Sequence, residues 1–247
     1  MDQGIYTAAA GAIAMEDRLN VISNNIANLN TTGFKKDRMS FEKYMKQLDT
    51  SSLYPGQYKA VPIDVIAVSK SIDLSEGAPV KTGNVLDIAV MGEGFFVVNT
   101  EKGPRYTRAG SFQISTENTI ITPQGYRVQG NGGDITIDPE KSDIVIDSTG
   151  KITQDWDELS TLQIVKISPE ALERQGNNLF SVKEGFLPQP VETVSLVQGS
   201  LEKANVEPIS EMVEMIATAR AYDSFQKVIR SVNDAYSYSM RNVGTVV

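Results

Sequence analysis

Four carboxylates, Asp64, Asp73, Asp87 and Glu93, lie in the middle of the chain. Two of them at a suitable separation would serve glycoside hydrolysis, one as acid and one as base or nucleophile. Sequence spacing does not set that separation, and acidic residues in β turns are ordinarily just solvated. Gly92-Glu93-Gly94 follows an apolar run like a dinucleotide-binding loop, but the third glycine is missing and Phe95-Phe96-Val97-Val98 continues as strand, so a β turn is expected. Asp155-Trp156-Asp157-Glu158 gathers oxygen ligands of the kind calcium takes, without the spacing or the glycine of a calcium loop, and is expected as a solvated loop. Asn30-Thr31-Thr32 fits the glycosylation pattern and is equally well explained as turn chemistry. No catalytic, metal or cofactor site is expected from these residues.

The sequence has no histidine and no cysteine. That removes Ser-His-Asp and Cys-His relays, the usual zinc sites and every disulfide. Enzymes built on Asp, Glu, Lys, Ser, Thr or Tyr stay open. A net charge of −8 argues against general attraction to nucleic acid or anionic membrane. Residues 5–15 are apolar but lack a basic flank and are closed by Glu16-Asp17-Arg18, so neither a cleaved signal nor membrane insertion is expected.

The surrounding elements have a simple order. Ile5, Ala8, Ala12, Met15, Leu19, Ile22, Ile26 and Leu29 recur at alternating spacings of three and four, a heptad-like stripe on one helix face. Asn24, Asn25, Asn28 and Gly33 then bring turn chemistry, with Gly33 suited to positive φ. Phe41, Tyr44, Met45 and Leu48 predict a short second helix, and residues 49–62 read as a linker. Residues 63–198 have β texture, with strands expected at 63–68, 85–90, 95–99, 144–146 and 162–167 and a local helix start at Ser168-Pro169-Glu170. Pro208 opens a final helix with acidic residues early and Lys227, Arg230 and Arg241 late. Its stripe runs Ile209, Met212, Ile216, Ala219, Tyr222, Phe225, Ile229, Val232 and Tyr236, with consecutive threes from Ile216 to Phe225 that form a stammer. The stammer predicts that Ile209, Met212 and Ile216 face the N-terminal helix while Phe225, Ile229 and Val232 face a neighbouring subunit. The expected fold is α+β: a discontinuous coiled-coil domain from residues 1–48 and 199–247, with a mainly antiparallel β domain inserted.

Three blocks carry a family resemblance. The first is Ser23-Asn24-Asn25-Ile26-Ala27-Asn28-Leu29-Asn30-Thr31-Thr32-Gly33-Phe34-Lys35. The second runs from Gly83-Asn84-Val85-Leu86-Asp87-Ile88 through Gly92-Glu93-Gly94-Phe95-Phe96 to Tyr106-Thr107-Arg108-Ala109-Gly110-Ser111-Phe112. The third is Gly199-Ser200-Leu201-Glu202-Lys203-Ala204-Asn205-Val206, ahead of a helix with Arg220-Ala221-Tyr222. Together they resemble the bacterial flagellar axial proteins of rod, hook and hook–filament junction, and among these most of all the proximal-rod branch, with the distal rod next. The resemblance implies a structural subunit, exported by the flagellar type III apparatus, that stacks helically with its own copies and other rod proteins around the export channel and transmits torque to the hook. It makes Asn24, Asn25, Asn28, Gly33 and Phe34 an assembly turn. It makes Ile5, Leu19, Ile22 and Ile26, with Ile209, Met212, Ile216, Tyr222, Phe225, Ile229 and Val232, the helical seams. A carbohydrate-active or carbohydrate-binding β module is the competing expectation, which accounts for the middle of the chain but not for its heptad ends.

Overall fold

The computed structural model describes residues 2–46, 63–141, 143–191 and 194–243. They form two helices and a mainly antiparallel set of strands, an α+β architecture. The chain divides into a helical unit (Met1–Ile26, Asp37–Ser71 and Pro208–Val247) and a β unit (Ala27–Lys36 and Ile72–Glu207).

In the helical unit, α1 spans Asp2–Ala27 and α2 spans Pro208–Val243. Pro208 occupies the first turn, where its missing N–H costs nothing, with Glu211 nearby and Arg241 in the last turn, both of favourable sign for the helix dipole. The helices run antiparallel, because partners on α2 descend as α1 ascends. A Cβ added at Gly11 would lie 2.6 Å from the Phe225 ring, Arg18 Nε donates to Glu214 at 2.9 Å, and Asn25 Nδ2 donates to Glu211 at 3.3 Å. Gly11 costs an α-helix about 1 kcal/mol relative to alanine, and here the missing side chain is what admits the Phe225 ring.

Ala8, Ala12 and Ile22 of the expected α1 stripe are buried, together with Ala14, Val21 and Asn25. Ile5, Leu19 and Ile26 are half-buried. On α2 the seam differs from the expected one. The protected positions are Glu211, Met215, Thr218, Tyr222, Phe225, Ile229, Val232 and Tyr236, an unbroken alternation of fours and threes. Ile209, Met212 and Ile216 lie outside it, 74%, 50% and 55% exposed. The expectation that these three face α1 and that Phe225 faces a neighbour is therefore corrected: Phe225 packs inside the chain. The physical reason is that the first turns of the true seam are polar. Glu211, Glu214 and Thr218 sit on the protected side, two of them bonded to Asn25 and Arg18, so hydrophobicity alone selects the wrong face there. The stammer disappears with that correction.

The short helix expected from Phe41, Tyr44 and Met45 is also corrected: Asp37–Lys46 is a strand, β1, paired with β2 (Ile63–Ile72). Asn25 starts it. Its side-chain amide donates to Asp37 O at 3.0 Å and accepts from Asp37 N at 3.0 Å, imitating a strand neighbour and holding the backbone extended. A local pattern cannot reveal a strand whose partners are Asn25 and a segment far along the chain. Leu48 and the linker at 49–62 lie outside the described residues.

The β unit starts with β3 (Pro79–Lys81), β4 (Ile88–Met91), β5 (Phe95–Thr100) and β6 (Gly103–Thr107). The short strands β7 (Gln113–Ile114), β8 (Ile120–Ile121), β9 (Arg127–Gly130) and β10 (Gly133–Asp134) follow, and then β11 (Ile144–Ile146), β12 (Lys151–Gln154), β13 (Asp157–Thr161) and β14 (Ile164–Lys166). After a 3-10 turn at Pro169–Ala171 come β15 (Leu172–Gly176), β16 (Leu179–Val182), β17 (Gln189–Pro190), β18 (Ser195–Gln198) and β19 (Ser200–Glu202). The main sheet follows the order β15-β16-β6-β5-β9-β8-β7, with β14 also on β5; β11-β12-β13 form a separate meander, and β18 and β19 return to pair with β4 and β3.

Strand β5 is buried on both faces. Phe96 and Val98 enter one apolar cluster with Ile88, Ile120 and Val128, while Phe95 and Val97 enter another with Tyr106 and Phe180. Phe96 meets Phe112 edge-on at 5.0 Å, and Phe95 meets Phe180 at 5.6 Å. This is why the run reads as continuously apolar instead of alternating.

The revised helix faces generate an ordered pair of outcomes. Phe225→Ala is expected to destabilise the helical unit of the isolated protein by about 2–3 kcal/mol, lowering its far-ultraviolet helix signal on heating. Ile216→Ala should leave that melting curve within about 0.5 kcal/mol of wild type. Equal effects from the two substitutions would contradict the assigned seam.

Candidate functional site

The turn after α1 belongs to the β unit, and a buried ionic cluster holds it there. Gly33 sits at φ +65 and its N–H donates to Glu202 O at 2.8 Å. Lys35 Nζ donates to Glu202 Oε1 at 2.7 Å and to Ser75 O at 2.7 Å. Arg108 Nε lies 3.5 Å from Glu202 Oε2, while its terminal nitrogens donate to Val90 O at 3.4 Å and Gly92 O at 2.6 Å. All three charged side chains are buried. Glu202 Oε1 also accepts from Gly77 N at 2.8 Å, whereas Oε2 has only the ionic contact with Arg108. Burial pushes the Lys35 ammonium below its usual range, against the opposing pull of Glu202, and burial lowers Arg108 in the same way. One buried carboxylate thus faces two buried cations.

Neighbouring residues complete the attachment. Asn205 Oδ1 accepts from Lys36 N at 2.7 Å, its amide donates to Asp73 O at 2.9 Å and Ser75 O at 3.0 Å, and its own N–H donates to Phe34 O at 3.3 Å. Phe34 is buried beneath the Arg174 guanidinium, 4.7 Å from the ring centroid, and Arg174 also donates to Lys35 O at 2.6 Å. Asn178 donates to Thr32 O at 2.8 Å. The chain therefore leaves the β unit after Lys36 and returns at Ile72, and Asn205 ties that exit to the return by bonding both Lys36 N and Asp73 O.

The residues expected as an assembly turn have separate fates. Asn25 is buried in the helical unit, bonded to Asp37 and Glu211. Asn24 lies on the exposed side of α1. Asn28 Oδ1 accepts from the Thr31 hydroxyl at 3.1 Å and closes the turn. Gly33 and Phe34 are buried in the β unit. The sequence pattern alone assigns no role to Lys35, Arg108, Glu202, Asn205 or Arg174. The available signal was that the three resemblance blocks supply one cluster: Lys35 from the first, Arg108 from the second, Glu202 and Asn205 from the third.

The carboxylates considered for catalysis are occupied structurally. Asp87 accepts from Thr82 at 2.7 Å and Asn84 at 3.1 Å, Glu93 pairs with Lys166, and Asp73 accepts from Ser75 N at 3.0 Å; the side chain of Asp64 lies outside the described residues. Gly92 and Gly94 form a tight turn between β4 and β5, with φ of +80 and +156. Among the described residues no cluster of three or more Asp or Glu could hold a metal ion.

Comparison with known proteins agrees with this geometry. Residues 5–35 match the family described as flagella basal body rod protein, residues 89–154 the flagellar hook protein FlgE/F/G D1 domain, and residues 197–242 the flagellar basal body rod FlgEFG protein C-terminal region. The flagellar basal-body rod protein FlgF of Caulobacter vibrioides is 32% identical over the whole of both chains. FlgG of Bacillus subtilis is 32% identical over 95% of this chain and 96% of the relative, and FlgF of Salmonella typhimurium is 31% identical over 95% of each. The chain belongs to the flagellar basal-body rod protein family. It is a structural subunit of that rod, and FlgF and FlgG are both among its relatives.

The cluster predicts an asymmetric response. Glu202→Gln leaves two buried cations without a counter-charge and should cost about 3–5 kcal/mol in urea unfolding, whereas Lys35→Met leaves the Arg108–Glu202 pair and should cost less than about 2 kcal/mol. Because the native Lys35 titrates below 10.5, the native state binds fewer protons than the unfolded chain between the lowered value and 10.5. Wild-type stability should therefore rise relative to Lys35→Met as pH increases through that window, and a falling difference would contradict it. Gly33→Val adds a second cost, since a Cβ there would lie 2.3 Å from the Arg108 carbonyl carbon on top of the positive φ. It should prevent stable folding of the β unit, read as loss of the cooperative urea transition.

Proposed function

We propose that this chain is a proximal-rod subunit, FlgF-like instead of FlgG-like, that stacks helically with copies of itself and other rod proteins around the export channel. It carries torque from motor to hook and is not an enzyme. The observation that carries this reading is the division of α2 into two faces. One face is taken up inside the chain, and the other presents Ile209, Met212, Val213 and Ile216 to solvent at spacings of three, one and three. An apolar stripe of that kind is what a partner helix reads, and a helical array follows when a contact of this sort repeats without closing. The two helices extended in this way form the coiled-coil part of the assembled rod.

The proximal subtype is supported by the full-length match to the Caulobacter FlgF and by the opening Met1-Asp2 with Ile5-Tyr6-Thr7-Ala8. Export through the flagellar type III apparatus is part of the same reading. Among the described residues no helix is long and apolar enough to cross a membrane.

The test is complementation of flagellated strains lacking either rod gene. Restored swimming in the FlgF-deficient strain and not in the FlgG-deficient one is expected; the reverse would reassign the subtype. In the restored strain, Ile209→Ser combined with Met212→Ser and Ile216→Ser should abolish swimming while the purified protein keeps its wild-type melting curve. Normal swimming by that triple variant would remove the assembly role of the face. A carbohydrate-binding β module would instead keep its activity after both helices are deleted.

A further inference from the structure

Asn131-Gly132 is the single Asn-Gly pair of the chain. It forms the exposed tip of the β9–β10 hairpin, where Gly130 pairs with Gly133 and Gln129 with Asp134. An asparagine holds an electrophile, its side-chain carbonyl carbon, one ring closure away from the backbone nitrogen of the next residue. Attack within the chain is strongly favoured over any bimolecular reaction when nothing keeps the two groups apart. Other asparagines are protected in two ways. Asn25, Asn84, Asn178 and Asn205 hold their side-chain amides in hydrogen bonds. Each is also followed by a branched residue, Ile26, Val85, Leu179 or Val206, which crowds the attacking nitrogen.

Asn131 has neither protection. Among the described residues its side-chain amide makes no hydrogen bond, and the Gly132 N–H donates to no acceptor. A Cβ built at Gly132 would meet nothing within 4 Å, so the approach is open, and glycine has the backbone freedom to reach the ring geometry. The sheet grips the tip from the Asn131 side, through Asn131 N to Thr161 O at 2.9 Å and the Gly130–Leu162 bridge. Beyond Gly132 comes only β10, a strand of two residues. We propose that Asn131 is a site of spontaneous deamidation. Gly132 N gives its proton to solvent base and attacks Asn131 Cγ. The bond from Cγ to the side-chain nitrogen breaks, ammonia leaves, and a succinimide ring closes. Water then adds to one ring carbonyl. Opening at Cγ gives aspartate, whereas opening at the α-carbonyl gives isoaspartate, with the backbone running through the side chain. One water is consumed and one ammonia released, and nothing is oxidised or reduced. Either product puts a carboxylate at an open groove of about 520 Å³ whose lining residues carry no charge. Isoaspartate also lengthens the tip by a methylene. The reaction needs no second subunit and is independent of the rod reading.

The test incubates the purified full-length protein in mildly alkaline, heavy-oxygen water beside a synthetic peptide of residues 128–136. Digestion and mass spectrometry locate each exchange of a side-chain amide for a carboxylate carrying the heavy oxygen. Asn131 is expected to convert at least about tenfold faster than any other described asparagine, since it alone precedes glycine. An isoaspartyl methyltransferase with S-adenosylmethionine should methylate the aged protein and not the fresh one. Gly132→Ala places its methyl in open space, at a position without positive φ, and should melt like wild type. It should nevertheless convert at least about tenfold more slowly, because the added carbon restricts the backbone and crowds the attacking nitrogen. Asn131→Gln, which would need a larger ring, should give no methyl acceptor on the same timescale. Three outcomes would overturn the site: no conversion at Asn131 once the peptide has fully converted, equal rates in wild type and Gly132→Ala, or earlier conversion at another asparagine.

Discussion

Glu202 is buried between two cations, and much of the β unit's connectivity depends on that arrangement. Taking each charge out of water costs several kcal/mol, which is recovered only when the partners and their hydrogen bonds are all in place. Lys35, Arg108 and Glu202 come from positions far apart in the chain, and the shared carboxylate is the member whose loss strands the other two. The backbone follows the same logic. Glu202 O takes the Gly33 N–H, Lys36 N is taken by Asn205, and Arg174 covers Phe34 while donating to Lys35 O. A turn of polar residues, which alone would have no preferred shape, becomes part of a folded unit because its lysine has nowhere else to place its charge.

The helical unit distributes polarity in the opposite sense from a simple amphipathic pair. Asn25, Glu211 and Thr218 lie in the protected region, and Arg18–Glu214 flanks it. Polar groups in a helical seam lose stability relative to leucine or isoleucine but discriminate between registers, since a slipped pair would leave Asn25 or Glu211 buried without a partner. Asn25 has a second constraint, because both ends of its amide also hold Asp37. The apolar residues excluded from this seam, Ile209, Met212 and Ile216, are then free for the contact proposed between subunits.

Most of the architecture was legible because its signals are local. The α1 stripe, the start of α2 at Pro208, the strand at 144–146 and the turn at Gly92–Gly94 follow from periodicity and from what proline and glycine permit. The failures share one cause. Residues 37–46 became a strand through Asn25 and β2, and the first turns of α2 rotated because Glu211 and Glu214 found partners on α1. In both places a polar side chain from a distant segment decided the outcome, and a pattern of apolar residues carries no trace of it. The ionic cluster was visible only as three separate blocks, each contributing one charge to it, and nothing nearby announced that this charge is buried.

A subunit built this way separates two requirements that otherwise conflict. Self-assembly needs apolar surface that is exposed before assembly, and exposed apolar surface invites indiscriminate association. Here the exposed stripe on α2 is short, and a net charge of −8 opposes close approach of copies except where specific contacts repay it. The interior does not rely on that balance, because the β core is apolar on both faces of β5 and the turn is fixed by charge pairs screened from solvent. Salt should accordingly act on the two levels differently: it weakens repulsion between subunits within roughly a Debye length of about 8–10 Å, while the buried Lys35–Glu202–Arg108 contacts respond little. Folding and assembly can thus respond to different conditions in one chain.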